Sequence, residues 1–412
     1  MKALTKIRIG FLALVAVALW FTSCSSEDVA SGTNQGKMSS LTLSINTGKS
    51  MGSRATDWTT DPAGDDKVKT ENKINRVAIG IFSNTGKVKT IVELTSGTTG
   101  TNSLSQTDAN NATANIVTSS LVASDEVLVA INAPSGRFAG CKDKTAFMEK
   151  TESAAEALAK STGAQVADNI PMFGSATLSA GTDGIFTARV SVIHMIAKVS
   201  LAELKVDFKA GSAYADAEFT PKAVFLINVP NSLQFDNKAW PSSSVGYEHG
   251  WGAFDSSYNY DATTTNTEAA IKFSGSTFAK YLTTSQLEDI TLKGNAAYNK
   301  KVYFYTMPNG QNGYEATKLV IAGKFKASAS GVDKVVYYPL FLNATNNTGT
   351  GYDPAGSGSE AKKVYPNKNY NCKVVIRNIG ADSPDINLDP KAASISITVK
   401  DFEEAEQTTE FN

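Results

Sequence analysis

Two runs near opposite ends of the chain alternate apolar and polar residues with one period. They are Ser40-Leu41-Thr42-Leu43-Ser44-Ile45 and Ser394-Ile395-Ser396-Ile397-Thr398-Val399. Successive strand residues point to opposite faces, so each run reads as a half-buried β-strand with three apolar side chains on one face. The apolar faces, Leu41, Leu43 and Ile45 against Ile395, Ile397 and Val399, are alike enough for the two strands to compete for one groove. That similarity constrains the chain more than any other feature. It asks for a β-sheet with a site that either strand could fill.

The first run lies between two processing signals. Lys2, Lys6 and Arg8 precede an apolar stretch, residues 10–21, of signal-peptide length and too short for a comfortable transmembrane helix. Phe21-Thr22-Ser23-Cys24 follows, with small residues just before the cysteine. Residues 1–23 resemble a bacterial lipoprotein signal peptide, cleaved so that Cys24 becomes the acylated N-terminus. An ordinary signal peptide that happens to contain a cysteine is the alternative. The polar tether Ser25-Ser26-Glu27-Asp28 has no apolar periodicity. Past the strand, residues 49–64 read as an exposed loop containing Gly52-Ser53-Arg54-Ala55. Exposed loop tips are where nicking concentrates, so Arg54-Ala55 reads as a protease site; out of context Arg54 would be a plain solvated arginine. Residues 24–54 are therefore taken as a lipidated propeptide carrying a plug strand. No later segment is long and apolar enough to span a membrane, which leaves the mature protein anchored by lipid or released.

With 412 residues the chain can build two or three domains, each with its own core. A formal net charge of -1 argues against a nucleic-acid partner. Ser, Thr, Asn and Gly are abundant, which suits a turn-rich extracellular β protein. If Cys24 carries lipid, Cys141 and Cys372 remain. Two separately buried thiols are the preferred reading, with a disulfide as the alternative.

Strand signals recur along the mature chain. Residues 74–82 and 88–94 form a hairpin across Ser83-Asn84-Thr85-Gly86, with Asn and Gly where the turn needs them. Residues 96–115 read as a polar loop, and Glu126-Val127-Leu128-Val129-Ala130-Ile131-Asn132 as a buried strand. Residues 143–161 are the best helix candidate, with Phe147, Ala154, Ala155 and Leu158 on one stripe; a packing role is expected for it. Residues 185–199 look like a strand or pair of strands beside a domain boundary near residue 189. Beyond it, strands are expected at 223–229, 302–305, 317–325, 335–342, 370–376 and 392–399. A long polar loop at 242–267 carries Trp251, Tyr258 and Tyr260. Short strands with Gly, Asn and Pro turns argue for one sandwich in each half, residues 55–188 and 189–412.

Catalytic chemistry is not legible. His194 and His249 lie far apart, and neither has a Cys or carboxylate at metal-ligand spacing. Nucleophile elbow, phosphate loop and dinucleotide fingerprint are all missing. Asp61, Asp65 and Asp66 lack calcium-loop spacing. The chain is expected to need no cofactor and to be no enzyme.

The order of several motifs resembles the type V fimbrillins, lipoprotein pilins of Bacteroidales-type bacteria, over nearly the whole chain. The similarity is most specific in the C-terminal half. There Tyr303-Phe304-Tyr305 precedes Pro308-Asn309-Gly310, followed by Thr317-Lys318-Leu319-Val320-Ile321-Ala322-Gly323 and Tyr337-Tyr338-Pro339-Leu340. Asn369-Tyr370 comes next, then Ser383-Pro384 ahead of the terminal strand and Asp401-Phe402. Ile79-Gly80-Ile81-Phe82 and Leu128-Val129-Ala130-Ile131-Asn132 fit less distinctively. Phe402 departs from the tryptophan often found there, a conservative change.

The resemblance implies an all-β chain of two transthyretin-like β-sandwich domains in tandem, with a minor helix in the first. It implies an outer-membrane lipoprotein precursor acylated at Cys24 and cut between Arg54 and Ala55 by an arginine-specific protease. Leu41, Leu43 and Ile45 would leave with the plug strand. Ile395, Ile397 and Val399 of another copy would then fill the groove and build a cell-surface fimbrium. Partners would be other copies of the chain, accessory fimbrial subunits, and an adhesion ligand on a host or another bacterium.

A cleavage loop and a donor-like tail together favour a stalk subunit over a tip or anchor. The alternative is a non-polymerising surface lipoprotein that binds a glycan or protein through the loop carrying Trp251, Tyr258 and Tyr260. A secreted hydrolase on a β scaffold ranks third. A terminal strand already paired within its own monomer would count against polymerisation through residues 395–399.

Overall fold

The computed structural model describes residues 38–47, 70–108, 110–159, 164–236, 238, 240, 246–250, 277–284, 287–300, 302–344, 361–384, 388 and 393–401. Eleven strands come from the first half. They are β1 (Met38–Asn46), β2 (Arg76–Phe82), β3 (Val88–Thr95), β4 (Ser103–Gln106), β5 (Asn111–Ser119), β6 (Glu126–Ile131), β7 (Thr151–Ser153), β8 (Met172–Thr177), β9 (Ser179–Ala180), β10 (Ile185–Ser191) and β11 (Ile193–His194). The order β4-β5-β1-β10-β9 forms one five-stranded sheet and β11-β8-β6-β2-β3 a second.

These two sheets face each other across a core in which Leu41, Leu43 and Ile45 meet Val77, Ile79, Ile81, Val127, Val129 and Ile131. The second sheet is covered on both sides, which is why β2 and β6 are nearly continuous apolar runs rather than alternating ones. Its other face carries Ala78, Phe82, Leu128 and Ala130 into a larger core shared with the second half. Gly80 belongs to that face, where a Cβ would lie 2.6 Å from the Phe82 ring and 3.0 Å from Phe147. The expected hairpin turn forms after Phe82, with Gly86 at φ +80° and its N–H donating to Ser83 O at 2.8 Å.

The second half builds β12 (Ala197–Val206), β13 (Glu218–Ile227), β14 (Val229–Pro230), β15 (Ser232–Gln234), β16 (Tyr247–His249), β17 (Thr277–Phe278), β18 (Thr283–Thr284), β19 (Leu292–Lys293), β20 (Ala297–Tyr298), β21 (Val302–Thr306), β22 (Lys318–Lys326), β23 (Lys334–Phe341), β24 (Lys368–Ile376) and β25 (Ala393–Asp401). One sheet runs β20-β12-β24-β25, with β21 also pairing β12; its partner runs β18-β13-β22-β23, with β19 also pairing β13. Val199, Leu201, Cys372 and Val374 face Val224, Leu226, Leu319 and Ile321 in the core between them. Pro221 sits where the β13 register shifts, at a bulge that tolerates a residue with no N–H to give. The architecture is all-β, two sandwiches in tandem. Each half places its first strand inside a sheet and parallel to a later one: β1 beside β10, β12 beside β24.

Two expectations are corrected. The helix expected over residues 143–161 is broken. Its first turn forms as α1 (Lys144–Met148), with the Asp143 carboxylate accepting from Ala146 N at 2.8 Å. The chain then extends as β7 to pair with β15, and a π-helical turn follows at Ala155–Ala159. The bonds Phe235 N to Lys150 O and Ala154 N to Asn231 O hold that extended stretch. Tertiary pairing has overridden a helical stripe, of which Phe147, Ala154 and Leu158 are buried and Ala155 is exposed. The loop expected over residues 96–115 holds β4 and most of β5. Ala112, Ala114 and Ile116 of β5 are buried in alternation with polar residues, a period masked by how small and polar the run is.

Candidate assembly strands

β1 is an internal strand with a ladder on each side. It runs antiparallel to β5, with Leu41 opposite Ile116, Leu43 opposite Ala114 and Ile45 opposite Ala112. It runs parallel to β10, with the same three residues opposite Phe186, Ala188 and Val190. Leu41, Leu43 and Ile45 are at most 1% exposed. On the outer face the Thr42 hydroxyl donates to Asn115 Oδ1 at 3.1 Å, and the Asn46 amide to Asn111 Oδ1 at 2.8 Å. At the end of the strand Thr47 N donates to Asn110 O at 2.9 Å. Burying three such aliphatic side chains contributes roughly 1.5–3 kcal/mol each before ordering costs. Without β1, β5 and β10 would each present an unpaired edge along an apolar slot.

The terminal strand is found in its own monomer. β25 pairs antiparallel with β24, with Ile395 opposite Val374, Ile397 opposite Cys372 and Val399 opposite Tyr370. This pairing counts against direct use of the strand by another copy: β25 must first leave β24. Its position lowers that barrier, because β25 stands at one end of its sheet with a single ladder among the described residues, whereas β1 has two. Cys24, Arg54 and Ala55 lie outside the described residues, as do Trp251, Tyr258, Tyr260 and Asp61, Asp65 and Asp66.

The remaining singled-out groups are placed as follows. Cys141 and Cys372 are both buried and both free thiols. Burial pushes each thiol's pKa above its ordinary value. His194 lies 3.2 Å from Asn367 Oδ1 and 3.3 Å from the Glu71 carbonyl, and burial lowers its pKa to about 4. His249 Nδ1 accepts from Asn228 N at 3.2 Å, and burial lowers it likewise to about 4. Each histidine is thus held as a neutral hydrogen-bonding member of a core. Among the described residues no group of three or more His, Cys, Asp or Glu is placed to hold a metal ion.

Sequence reasoning found β1, β25 and the strand that became β10, but missed β5. The signal was present in Ala112, Ala114 and Ile116, and was hidden by the Asn and Thr residues between them.

No protein-family model matches the chain, and no curated protein matches it by sequence. Solved structures do match by shape. A putative cell adhesion protein from Bacteroides eggerthii aligns over 90% of this chain and 98% of its own, with a TM-score of 0.59 and 18% identity. One from Parabacteroides distasonis aligns over 89% and 100%, with a TM-score of 0.58 and 16% identity. A fimbrilin from Porphyromonas gingivalis aligns over 90% and 99%, with a TM-score of 0.55 and 16% identity. The chain has the fold of this fimbrilin and of these putative cell adhesion proteins along nearly its whole length.

Proposed function

We propose that the chain is a structural stalk subunit of a cell-surface fimbrium, polymerising by strand exchange after proteolytic loss of its first strand. The observation that carries this reading is the position of β1, an internal strand that continues into the segment containing Arg54. Cutting between Arg54 and Ala55 would turn β1 into a separable peptide held by its two ladders, its three apolar side chains and the side-chain bonds of Thr42 and Asn46. A strand of matching pattern could then take its place, by the β-strand addition seen in donor-strand systems.

β25 supplies that pattern. Moving it from β24 to the slot of another copy exchanges one ladder for two, each bond contributing about 0.5–1.5 kcal/mol net. Every such contact joins a groove to a tail and does not close, so it propagates a filament. Within this proposal the chain divides near residue 189 into two sandwich domains. The precursor reaches the outer membrane through lipid on Cys24 and an arginine-specific protease matures it. Accessory subunits and an adhesion ligand complete the assembly. The fold shared with a fimbrilin and with putative adhesion proteins supports this reading.

The pairing of β25 with its own β24 favours a second reading, a surface lipoprotein that stays monomeric and binds a glycan or protein. Intact mass of the protein sheared from cells separates the two. A start at Ala55 is expected for the polymerising subunit. A start at acylated Cys24 in all the material would overturn it in favour of the monomer or a basal anchor.

A further inference from the structure

Where the two pairs of sheets meet, four side chains bring polar ends together with almost no exposure to water. Glu71 is helical and lies just ahead of β2, His194 comes from β11, Lys198 from β12 and Tyr305 from β21. Glu71 is 3% exposed and the other three are fully buried. Lys198 Nζ donates to Glu71 Oε1 at 2.8 Å, and the Tyr305 hydroxyl donates to the same oxygen. His194 lies against the Glu71 carbonyl and against Asn367, just ahead of β24. Gln165 fastens the backbone of Tyr305 from the first half, accepting from its N–H and donating to its carbonyl, both at 2.7 Å.

A buried charge is tolerated only when paired, and removing one partner strands the other. Glu71 is therefore fixed by the second pair of sheets. None of its ties named above involves β1, so they outlast the departure of β1. The next residues are held by the first half. Asn75 N donates to Asn132 Oδ1 at 2.9 Å, and Arg76 Nη1 donates to Ala133 O at 3.1 Å. Arg76 is the next arginine in the chain after Arg54. A protease that cuts after arginine would thus meet Arg54 on one side of Glu71 and Arg76 on the other. Cutting after Arg76 would release the stretch leading into β2 and open the core beneath it.

Resting on the reading that the segment between β1 and Thr70 is cut, we propose that Glu71 is a pin that stops proteolytic trimming. By tying the chain to Lys198 and Tyr305 it confines cleavage to that segment and keeps the two sandwiches one body once β1 has left. Backbone that is held in this way must open locally before a protease can bind it, so the pin sets the rate of any further cut.

Trypsin digestion of the native full chain, read by intact mass, tests this. The wild-type product is expected to begin no later than Thr70 and to persist. In Glu71→Gln and Lys198→Met the product is expected to begin at Ile74 or Val77, with its lifetime shortened about tenfold or more by local opening. Tyr305→Phe removes one bond to the same oxygen without stranding a charge and is expected to fall between. Asp168→Asn weakens only the exposed 3.5 Å pair with Lys73, keeps the tryptic site after Lys73, and is expected to match wild type. Wild-type lifetimes in all three pin variants, or wild-type protein cut after Arg76 as fast as they are, would overturn the pin. A start at Cys24 rather than Ala55 in protein sheared from cells would instead sink the reading of function and leave the comparison of lifetimes standing.

Discussion

Leu43 of β1 lies opposite Ala114 of β5, and both side chains are fully buried. Ala188 of β10 flanks Leu43 on its other side. Two alanines make the room one leucine fills, and neither can collapse into the space if it empties. Leu43→Ala in the full chain is expected to cost about 2–5 kcal/mol, the range for a buried leucine that leaves a cavity. Urea denaturation measures this. A change below about 1 kcal/mol would mean β1 contributes little to this core.

The terminal strand offers a contrasting test. Ile397 pairs opposite Cys372 in a strand that has one neighbour among the described residues. Ile397→Asp sets a carboxylate opposite the fully buried Cys372, so it is expected to lower the monomer's melting temperature by several degrees or more. It is expected to abolish fibres, since a carboxylate would have to enter the apolar slot that Leu43 vacates. Electron microscopy of cut protein reads the result, and fibres of normal length would rule out residues 395–399 as the donor.

The two remaining cysteines give a covalent check on the fold. Cys141 and Cys372 are free and buried, on opposite halves of the chain, and burial raises both thiol pKa values. The thiolate is the reactive form, so both are expected to resist alkylation at neutral pH in the native protein and to react once it is unfolded. Cys372, fully buried in β24, is expected to be the slower. Mass spectrometry after a short exposure to iodoacetamide counts the adducts. Rapid labelling of Cys372 in folded protein would contradict the packing of β24.

How much of this was legible in the sequence depended on side-chain size. Leu41, Leu43 and Ile45 announce a strand because large apolar groups alternate with Thr and Ser. Ala112 and Ala114 do the same work on β5 with side chains too small to register. Residues 144–158 misled in the opposite sense: Phe147, Ala154 and Leu158 all reach the core, but through a short helix, a strand and a π turn. What diverted them was β15, about eighty residues downstream, whose backbone takes the hydrogen bonds a helix would have made for itself. The joint at Glu71 left no local signal, because its partners Lys198 and Tyr305 stand far away in the chain.

The buried histidines make stability depend on pH with a definite sign. His194 faces Glu71, Lys198 and Asn367, and His249 accepts from Asn228 N; burial holds both near 4 against an ordinary 6.5. Above 6.5 both are neutral whether the chain is folded or not, and they add no pH dependence. Between 6.5 and 4 the unfolded chain takes up protons that the folded one refuses, so stability falls as pH drops. Below 4 both states are protonated and the loss levels off. Each histidine contributes roughly 3 kcal/mol across that window. Glu248 acts in the other direction, because burial raises it to about 6 and the folded state then gains by protonation between 6 and 4.5. That gain is about 2 kcal/mol at most and is reduced by the partial exposure of the group. A net loss toward pH 4 remains. Urea midpoints at pH 7, 5.5 and 4 are expected to fall in that order, and less steeply in His249→Gln. Midpoints that hold level from pH 7 to pH 4 would show that the two imidazoles are not buried neutral.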